Sequence, residues 1–278
     1  MSISGEAYLG ELFGLGGKVA LVTGGATGIG RMVATGFVQA GARVLIASRK
    51  GADCEHVAAE INALGASGTA EGFAGDVSTE EGVAALARAV GERVDKLDIL
   101  INNAGTSWGA QFEDFPYKAW ARVMDVNVTG LFELTKLLAP KLEAAGSMGN
   151  PARVINLGSI MGDAPLADGA YSYSASKAAV HHLTKILANE FSSRQITVNA
   201  FAPGPFQSKM TAFATTSDEQ VNIVSAGVPL GRIGTPEDVA GAAIYLCSRA
   251  GSYITGAILP IDGGMSVQHG ISLFKDAH

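Results

Sequence analysis

An α/β fold, with a mostly parallel sheet wound by helices on both faces, is predicted by three observations in this chain of 278 residues. Short runs rich in Val, Ile and Leu alternate with longer helical patterns from end to end, the order that builds βαβ units. Those short runs are apolar at nearly every position, as expected of strands covered on both faces. A glycine-rich turn, Thr23-Gly24-Gly25-Ala26-Thr27-Gly28-Ile29-Gly30, follows the first run and opens a helical pattern.

Taken in order, the strand-like runs are Lys18 to Val22, Arg43 to Ala47, Thr69 to Gly75, Leu97 to Ile101, Arg153 to Leu157, Ile196 to Ala200 and Ala257 to Ile261, so the sheet should have about seven strands. Between them the 3.6-residue period predicts helices over Gly28 to Ala40, Asp53 to Leu64, Glu80 to Arg93, Pro116 to Ala145, Tyr171 to Ser192 and Pro236 to Ser248. No Pro- or Ser-rich linker divides the chain. One domain over 17–278 is therefore expected, preceded by a loosely held extension at 1–16. Residues 203–228 read as an irregular insertion, of which 205–228 should form a mobile flap over a substrate.

Hydrophobic residues make up 47% of the chain and charged ones 17%, ample for a large core. The net charge is −6 and there is no run of Lys or Arg, which argues against nucleic acid and anionic membrane surfaces as partners. Only the pair Arg49-Lys50 offers a place for one phosphate. The two cysteines, Cys54 and Cys247, stand far apart without metal-ligand spacing, so no metal site is expected and a reducing cytoplasm is. The first residues lack a basic stretch followed by an apolar core, and no apolar run nears the roughly 20 residues of a membrane span.

The glycine-rich turn has the chemistry of a phosphate cradle. Gly24, Gly28 and Gly30 permit a tight turn, let backbone amides approach a pyrophosphate, and let the helix pack close to the sheet. The helix that starts there directs its positive end at the phosphates. At the end of the second strand, Ala47-Ser48-Arg49-Lys50 contains no carboxylate. An acid there would serve ribose hydroxyls, whereas Ser48 and Arg49 can bind and neutralise a 2′-phosphate, so NADP(H) is expected. Asp76, ending the third strand, is placed either to accept from an adenine amino group or to cap the next helix.

Tyr173 and Lys177 stand four residues apart, which on a helix stacks a phenol and an ammonium on one face. A phenol with an ordinary pKa of about 10 is a poor acid–base group at neutral pH until a cation favours its anion. Tyr171 lacks such a partner, because Ala175 occupies its i+4 position, and reads as a wall of the substrate pocket. His181 lies one turn beyond Lys177 on the same nominal face and reads as a structural or subunit-contact residue.

Thr23-Gly-x-x-x-Gly-Ile-Gly30, Asn102-Asn103-Ala104-Gly105, Asn127, Ser159, Tyr173-x-x-x-Lys177 and Pro203-Gly204 occur in the order found in short-chain dehydrogenases/reductases, and the chain resembles that family from about Lys18 to Gly264. Asn102 to Ala110, Asn150 to Asn156 and Pro260 to Gly264 are similar to β-ketoacyl reductases, especially those of the rhamnolipid-biosynthesis type. The resemblance implies a Rossmann-like fold and a tetrad of Asn127, Ser159, Tyr173 and Lys177. Tyr173 would exchange a proton with the substrate oxygen, Ser159 would hold that oxygen, and Lys177 would favour the phenolate and bind the nicotinamide ribose. Asn127 would anchor a water on the proton path. The implied cofactor contacts are Thr23, Gly24, Thr27, Gly28, Ile29, Gly30, Ser48, Arg49, Lys50, Asp76, Val77, Asn103, Ala104, Gly105, Tyr173, Lys177, Pro203, Gly204, Phe206 and Ser208.

Trp108, Ile160, Met161, Tyr171 and Met210 are assigned to the substrate by adjacency to these motifs, and their character suggests an apolar substrate chain. Phe206, Met210 and Phe213 equally fit an i, i+4, i+7 stripe that packs a helix on the core. The expected activity is NADPH-dependent reduction of a ketone, 3-oxoacyl or another apolar carbonyl compound, to a secondary alcohol. Alcohol oxidation with NAD(P) and a non-redox isomerase or lyase reaction are the competing readings. By resemblance the protein should form a homotetramer or homodimer through 116–145, 171–192 and the C-terminal segment.

Overall fold

The computed structural model describes residues 4–165, 169–207 and 217–268. Its strands are β1 (Val19–Thr23), β2 (Arg43–Ser48), β3 (Thr69–Ala74), β4 (Ile99–Asn102), β5 (Ala152–Leu157), β6 (Ile196–Pro203) and β7 (Ile258–Ile261). They form one seven-stranded sheet in the order β3-β2-β1-β4-β5-β6-β7, and every neighbouring pair is parallel. The helices are α1 (Gly5–Phe13), α2 (Gly28–Gln39), α3 (Gly51–Asn62), α4 (Glu80–Arg93), α5 (Tyr117–Met124), α6 (Gly130–Ala145), α7 (Tyr171–Phe191), α8 (Asp218–Ala226) and α9 (Pro236–Cys247). Among the described residues no helix is long and apolar enough to cross a membrane.

The continuous apolar character of the strands follows from their two-residue alternation. Ala20 and Val22 of β1 enter one core with Val44, Ile46, Ile99, Ile101 and Ile155, and α2, α3 and α9 cover that face. Leu21, between them, enters the other core with Leu45, Leu100 and Val154, under α4, α6 and α7. Each such Val, Leu or Ile removed from water contributes about 1.5–3 kcal/mol. The edge strands β3 and β7 are less covered. In β3, Glu71 pairs with Arg43 and Arg93.

α4 has the expected bounds because its ends are chemically marked: Thr79 accepts from the Gly82 N–H, Glu80 and Glu81 occupy the first turn, and Arg93 lies in the last. Three expectations need correction. Residues 116–145 are not one straight helix, since Asp125–Thr129 form a π-helical turn between α5 and α6. The 1–16 extension contains α1, none of whose residues is buried, and is held beyond it by Leu15, which is fully buried in the core. The supposedly irregular 203–228 segment begins with the end of β6 and contains α8, whose Ser217 side chain accepts from the Gln220 N–H.

At the base of the sheet Arg153 is fully buried. Its Nε donates to the Leu246 carbonyl at 3.1 Å and its Nη2 to the Ser248 carbonyl at 3.0 Å, while Nη1 donates to the Pro151 carbonyl. The guanidinium thus supplies a positive charge where α9 ends.

Candidate active site

The sequence order of the strands reverses at β1, between β2 and β4, and a cleft of about 370 Å³ opens there beyond the strand ends. Gly24 and Gly28 have φ of +64° and +53°, the left-handed conformation that glycine adopts without strain. Thr27 precedes α2 in an extended conformation and makes no side-chain cap, and Gly28, Ile29 and Gly30 form the first turn. The turn is braced from β4. Thr23 Oγ1 donates to the Ile101 carbonyl and accepts from the Asn103 and Ala104 N–H groups, while Asn103 Nδ2 donates to the carbonyls of Thr23 and Gly24. A Cβ at Gly30 would lie 2.4 Å from Asn103 Nδ2 and 2.6 Å from the Gly24 oxygen. This glycine is therefore required by the brace, a reason not visible in the turn motif alone.

Ser48, Arg49, Asp76, Val77, Ala104 and Gly105 line the cleft. Ser48 Oγ lies 3.0 Å from Cys54 Sγ, and Arg49 is exposed. Lys50, also exposed, is the residue before α3 rather than part of the cleft wall. Asp76 Oδ1 accepts from the Ser78 N–H at 2.9 Å, and Thr79 caps α4, so the capping alternative for Asp76 is set aside. Sequence reasoning missed Arg122, Asp125 and Val126 in the cleft wall. The Arg122 guanidinium lies 5.6 Å from the centre of the Trp108 ring.

Ser159, Tyr173 and Lys177 converge. Ser159 follows β5 in an extended conformation, its Oγ accepts from the Met161 N–H, and its hydroxyl lies close enough to Tyr173 to lower the phenol's pKa. Tyr173 lies in the first turn of α7, and Lys177 Nζ sits 5.5 Å from the centre of its ring. Lys177 is buried and donates to the Leu157 carbonyl. Burial pushes the Tyr173 phenol above its ordinary value, and the Ser159 hydroxyl pulls it part of the way back. Burial also pulls the Lys177 ammonium down, to about 8. The expected electrostatic lowering of the phenol by Lys177 is thus overtaken: both groups share a dry site in which each charged form loses its water.

Asn127 occupies the π turn and is buried. Its Oδ1 accepts from the Thr106 N–H, and its Nδ2 donates to the Thr106 carbonyl and to Ser176 Oγ, which in turn donates to the Tyr173 carbonyl. Both amide hydrogens are committed to protein oxygens, so a relay water would have to donate to an oxygen here. Ser176 was not foreseen, although its place three residues after Tyr173 was available. Gly105 joins the tetrad to the cleft: a Cβ there would lie 3.4 Å from Asn127 Oδ1 and 3.8 Å from Lys177 Nζ.

Of the substrate residues, Ile160 is buried and Met161 half-buried in the turn after Ser159. Tyr171 packs edge-on against Phe112 and Phe115, with ring centres 5.8 and 5.3 Å apart. These rings, Trp120, Pro165 and Ser174 line a second cavity of about 620 Å³. Ser208, Met210 and Phe213 lie outside the described residues. Phe206 is buried in the core, where a Cβ on Gly234 would strike its ring. Pro203 pairs with Ile261, and the Gly204 N–H donates to the Ile261 carbonyl. β6 therefore runs to Pro203, and Gly204 adds one more bond to β7.

The family model described as enoyl-(acyl carrier protein) reductase matches residues 24–266. The rhamnolipids biosynthesis 3-oxoacyl-(acyl-carrier-protein) reductase of Pseudomonas aeruginosa is 46% identical over 252 residues, covering 91% of this chain and 97% of that one. Galactitol 2-dehydrogenase (L-tagatose-forming) of Cereibacter sphaeroides is 37% identical, covering 92% and 98%. The solved Pseudomonas aeruginosa RhlG/NADP active-site complex matches with a TM-score of 0.87 at 45% identity, over 92% of this chain and 99% of that one. Matched by the family model over 24–266 and by relatives over nine-tenths of its length, a chain with this glycine turn, parallel sheet and Ser159, Tyr173 and Lys177 belongs to the short-chain dehydrogenase/reductase family.

Proposed function

We propose that this protein is an NADPH-dependent reductase that converts an apolar ketone of the 3-oxoacyl type into a secondary alcohol. The convergence of Ser159, Tyr173 and Lys177 beside a glycine-lined cleft carries the reading. The cofactor assignment is supported by Arg49 and Ser48 at the cleft edge, by the uncapped start of α2, and by the NADP held in the RhlG structure. The substrate class is supported by the name of the 46% identical relative and by the aromatic cavity around Tyr171.

When bound, the reduced dinucleotide supplies the hydride for the carbonyl carbon. Ser159 Oγ holds the carbonyl oxygen and stabilises the charge that develops on it. Tyr173 gives that oxygen its proton, and the burial that keeps the phenol protonated suits the reductive direction. Lys177 then faces the phenolate with its ammonium. Asn127 fixes Thr106 and Ser176 around this pair.

A panel of ketones, 3-oxoacyl thioesters and an enoyl thioester, assayed with NADPH and NADH in wild type and Tyr173→Phe, tests the reading. Expected is NADPH consumption with 3-oxo substrates, lost in Tyr173→Phe while NADPH binding persists. Full turnover in that variant, or turnover of the enoyl compound alone, sinks it. An oxidative role is favoured by the name of the galactitol 2-dehydrogenase relative, and the same panel run with alcohols and NADP+ addresses it. We further infer a cytoplasmic homotetramer or homodimer. Free Cys54 and Cys247 support the location, and exposed Phe132, Leu137 and Ile186 on α6 and α7 support self-association, which gel filtration tests.

A further inference from the structure

We propose that His181 is a positioning residue that fixes the backbone of Ser159 from behind and thereby sets the aim of its hydroxyl. The inference deepens the reductase reading and rests on it for its kinetic consequence.

His181 lies on α7, one turn after Lys177, and is buried. The Ser159 N–H donates to His181 Nε2 at 3.4 Å. An imidazole nitrogen that accepts carries no hydrogen, so the ring is neutral and its proton is on Nδ1. On that side the Asp163 carboxylate lies 3.0 Å away. The contact is close without being an aligned hydrogen bond, since Nδ1 lacks a directed partner. Asp163 is nevertheless the acceptor at hand, and its side chain is exposed. A carboxylate that selects one tautomer so that the other nitrogen can work is a recurrent arrangement around histidine.

The loop is cut to fit the ring. A Cβ on Gly158 would lie 2.1 Å from His181 Nε2, and one on Gly162 would lie 2.9 Å from Cε1. Both glycines flank the turn that carries Ser159, so Gly158-Ser159-Ile160-Met161-Gly162 wraps the imidazole. Ser159 is held on two sides: its N–H by His181, and its Oγ by the Met161 N–H. The buried histidine therefore does not serve as a subunit contact. A side chain that acts through Ser159 affects the step in which charge develops on the carbonyl oxygen more than the binding of the dinucleotide.

The test has two parts. In wild-type protein, ¹⁵N-labelled histidine is followed by NMR at neutral pH. His181 is expected to show a protonated Nδ1 and a bare Nε2, whereas a protonated Nε2 overturns the proposal whatever the enzyme's activity. In the second part, His181→Gln, whose amide oxygen can accept from the Ser159 N–H, is compared with His181→Leu, which cannot. Expected is a kcat lowered about tenfold in His181→Leu with KM for NADPH unchanged, and near-complete recovery in His181→Gln. Equal kcat in all three proteins, or equal losses in both variants, overturns it. Should His181→Leu fail to fold, the glutamine variant and the tautomer still decide. Should wild type reduce no ketone, the reductase reading fails while the tautomer continues to judge the geometry.

Discussion

Asn127 and Thr106 are joined twice, by Thr106 N–H to Asn127 Oδ1 at 2.8 Å and by Asn127 Nδ2 to the Thr106 carbonyl at 3.0 Å. This clamp ties the π turn to the segment that leaves β4, so the cleft wall and the tetrad are assembled by one side chain. Asn127→Ala removes both bonds and the one to Ser176, leaving buried polar groups without partners. Destabilisation of about 2–4 kcal/mol is expected from urea unfolding, together with reduced turnover. Asn127→Asp keeps the acceptor and loses the donor, and should fall between the two.

Gly30→Ala sets a methyl against Asn103 Nδ2 and the Gly24 carbonyl. Lower Tm and weaker NADPH binding are expected, measured by thermal melts and fluorescence titration. Adding Asn103→Ala should recover only part of the loss, because the Gly24 carbonyl, 2.6 Å from the new carbon, is main chain and cannot be trimmed.

Lys177 links pH to stability. Its folded pKa, about 8, lies below the ordinary 10.5, so the unfolded chain holds the proton more tightly. Below pH 8 the cost of burying the ammonium is fully present. Between 8 and 10.5 the folded state sheds the proton first, so stability rises with pH by about 3 kcal/mol in all. Reductive turnover should fall over the same interval as the ammonium is lost. Lys177→Met is expected to abolish turnover without lowering Tm at pH 7, since it removes a buried charge. Urea titrations and kcat across pH 6–10 check both.

Arg49→Asp should reverse the coenzyme preference. The exposed guanidinium at the cleft edge is the neutralising group proposed for the 2′-phosphate, and a carboxylate there would repel that phosphate. KM for NADPH is expected to rise about tenfold or more, with NADH turnover retained or improved. An unchanged NADPH-to-NADH ratio would move the phosphate elsewhere.

Much of this molecule was legible because its signals are local. The strands announced themselves by uninterrupted Val, Ile and Leu, and α4 by its helical period over Glu80–Arg93. Tyr173 and Lys177 were found by helical spacing. The π turn was not: Asp125–Thr129 is a run of weak helix formers, but that shows only that the helix is poorly favoured there, and the turn itself goes with what Asn127 grips elsewhere. Arg122 enters the cleft through that geometry and left no mark of its own. α1 buries nothing, so no periodic face betrayed it. α8 did carry a signal, Ser217 followed three residues later by Gln220, which went unread.

Arg153 has a mechanical consequence. Its guanidinium is fastened to carbonyls at the close of α9 while its own strand, β5, is stitched between β4 and β6. α9 cannot fray from its C-terminal end without taking two of three acceptors from a buried cation, which keeps only the Pro151 carbonyl. Amide protons in its last turn should therefore exchange with solvent as slowly as those of the central strands, so that the periphery opens only when the whole molecule does.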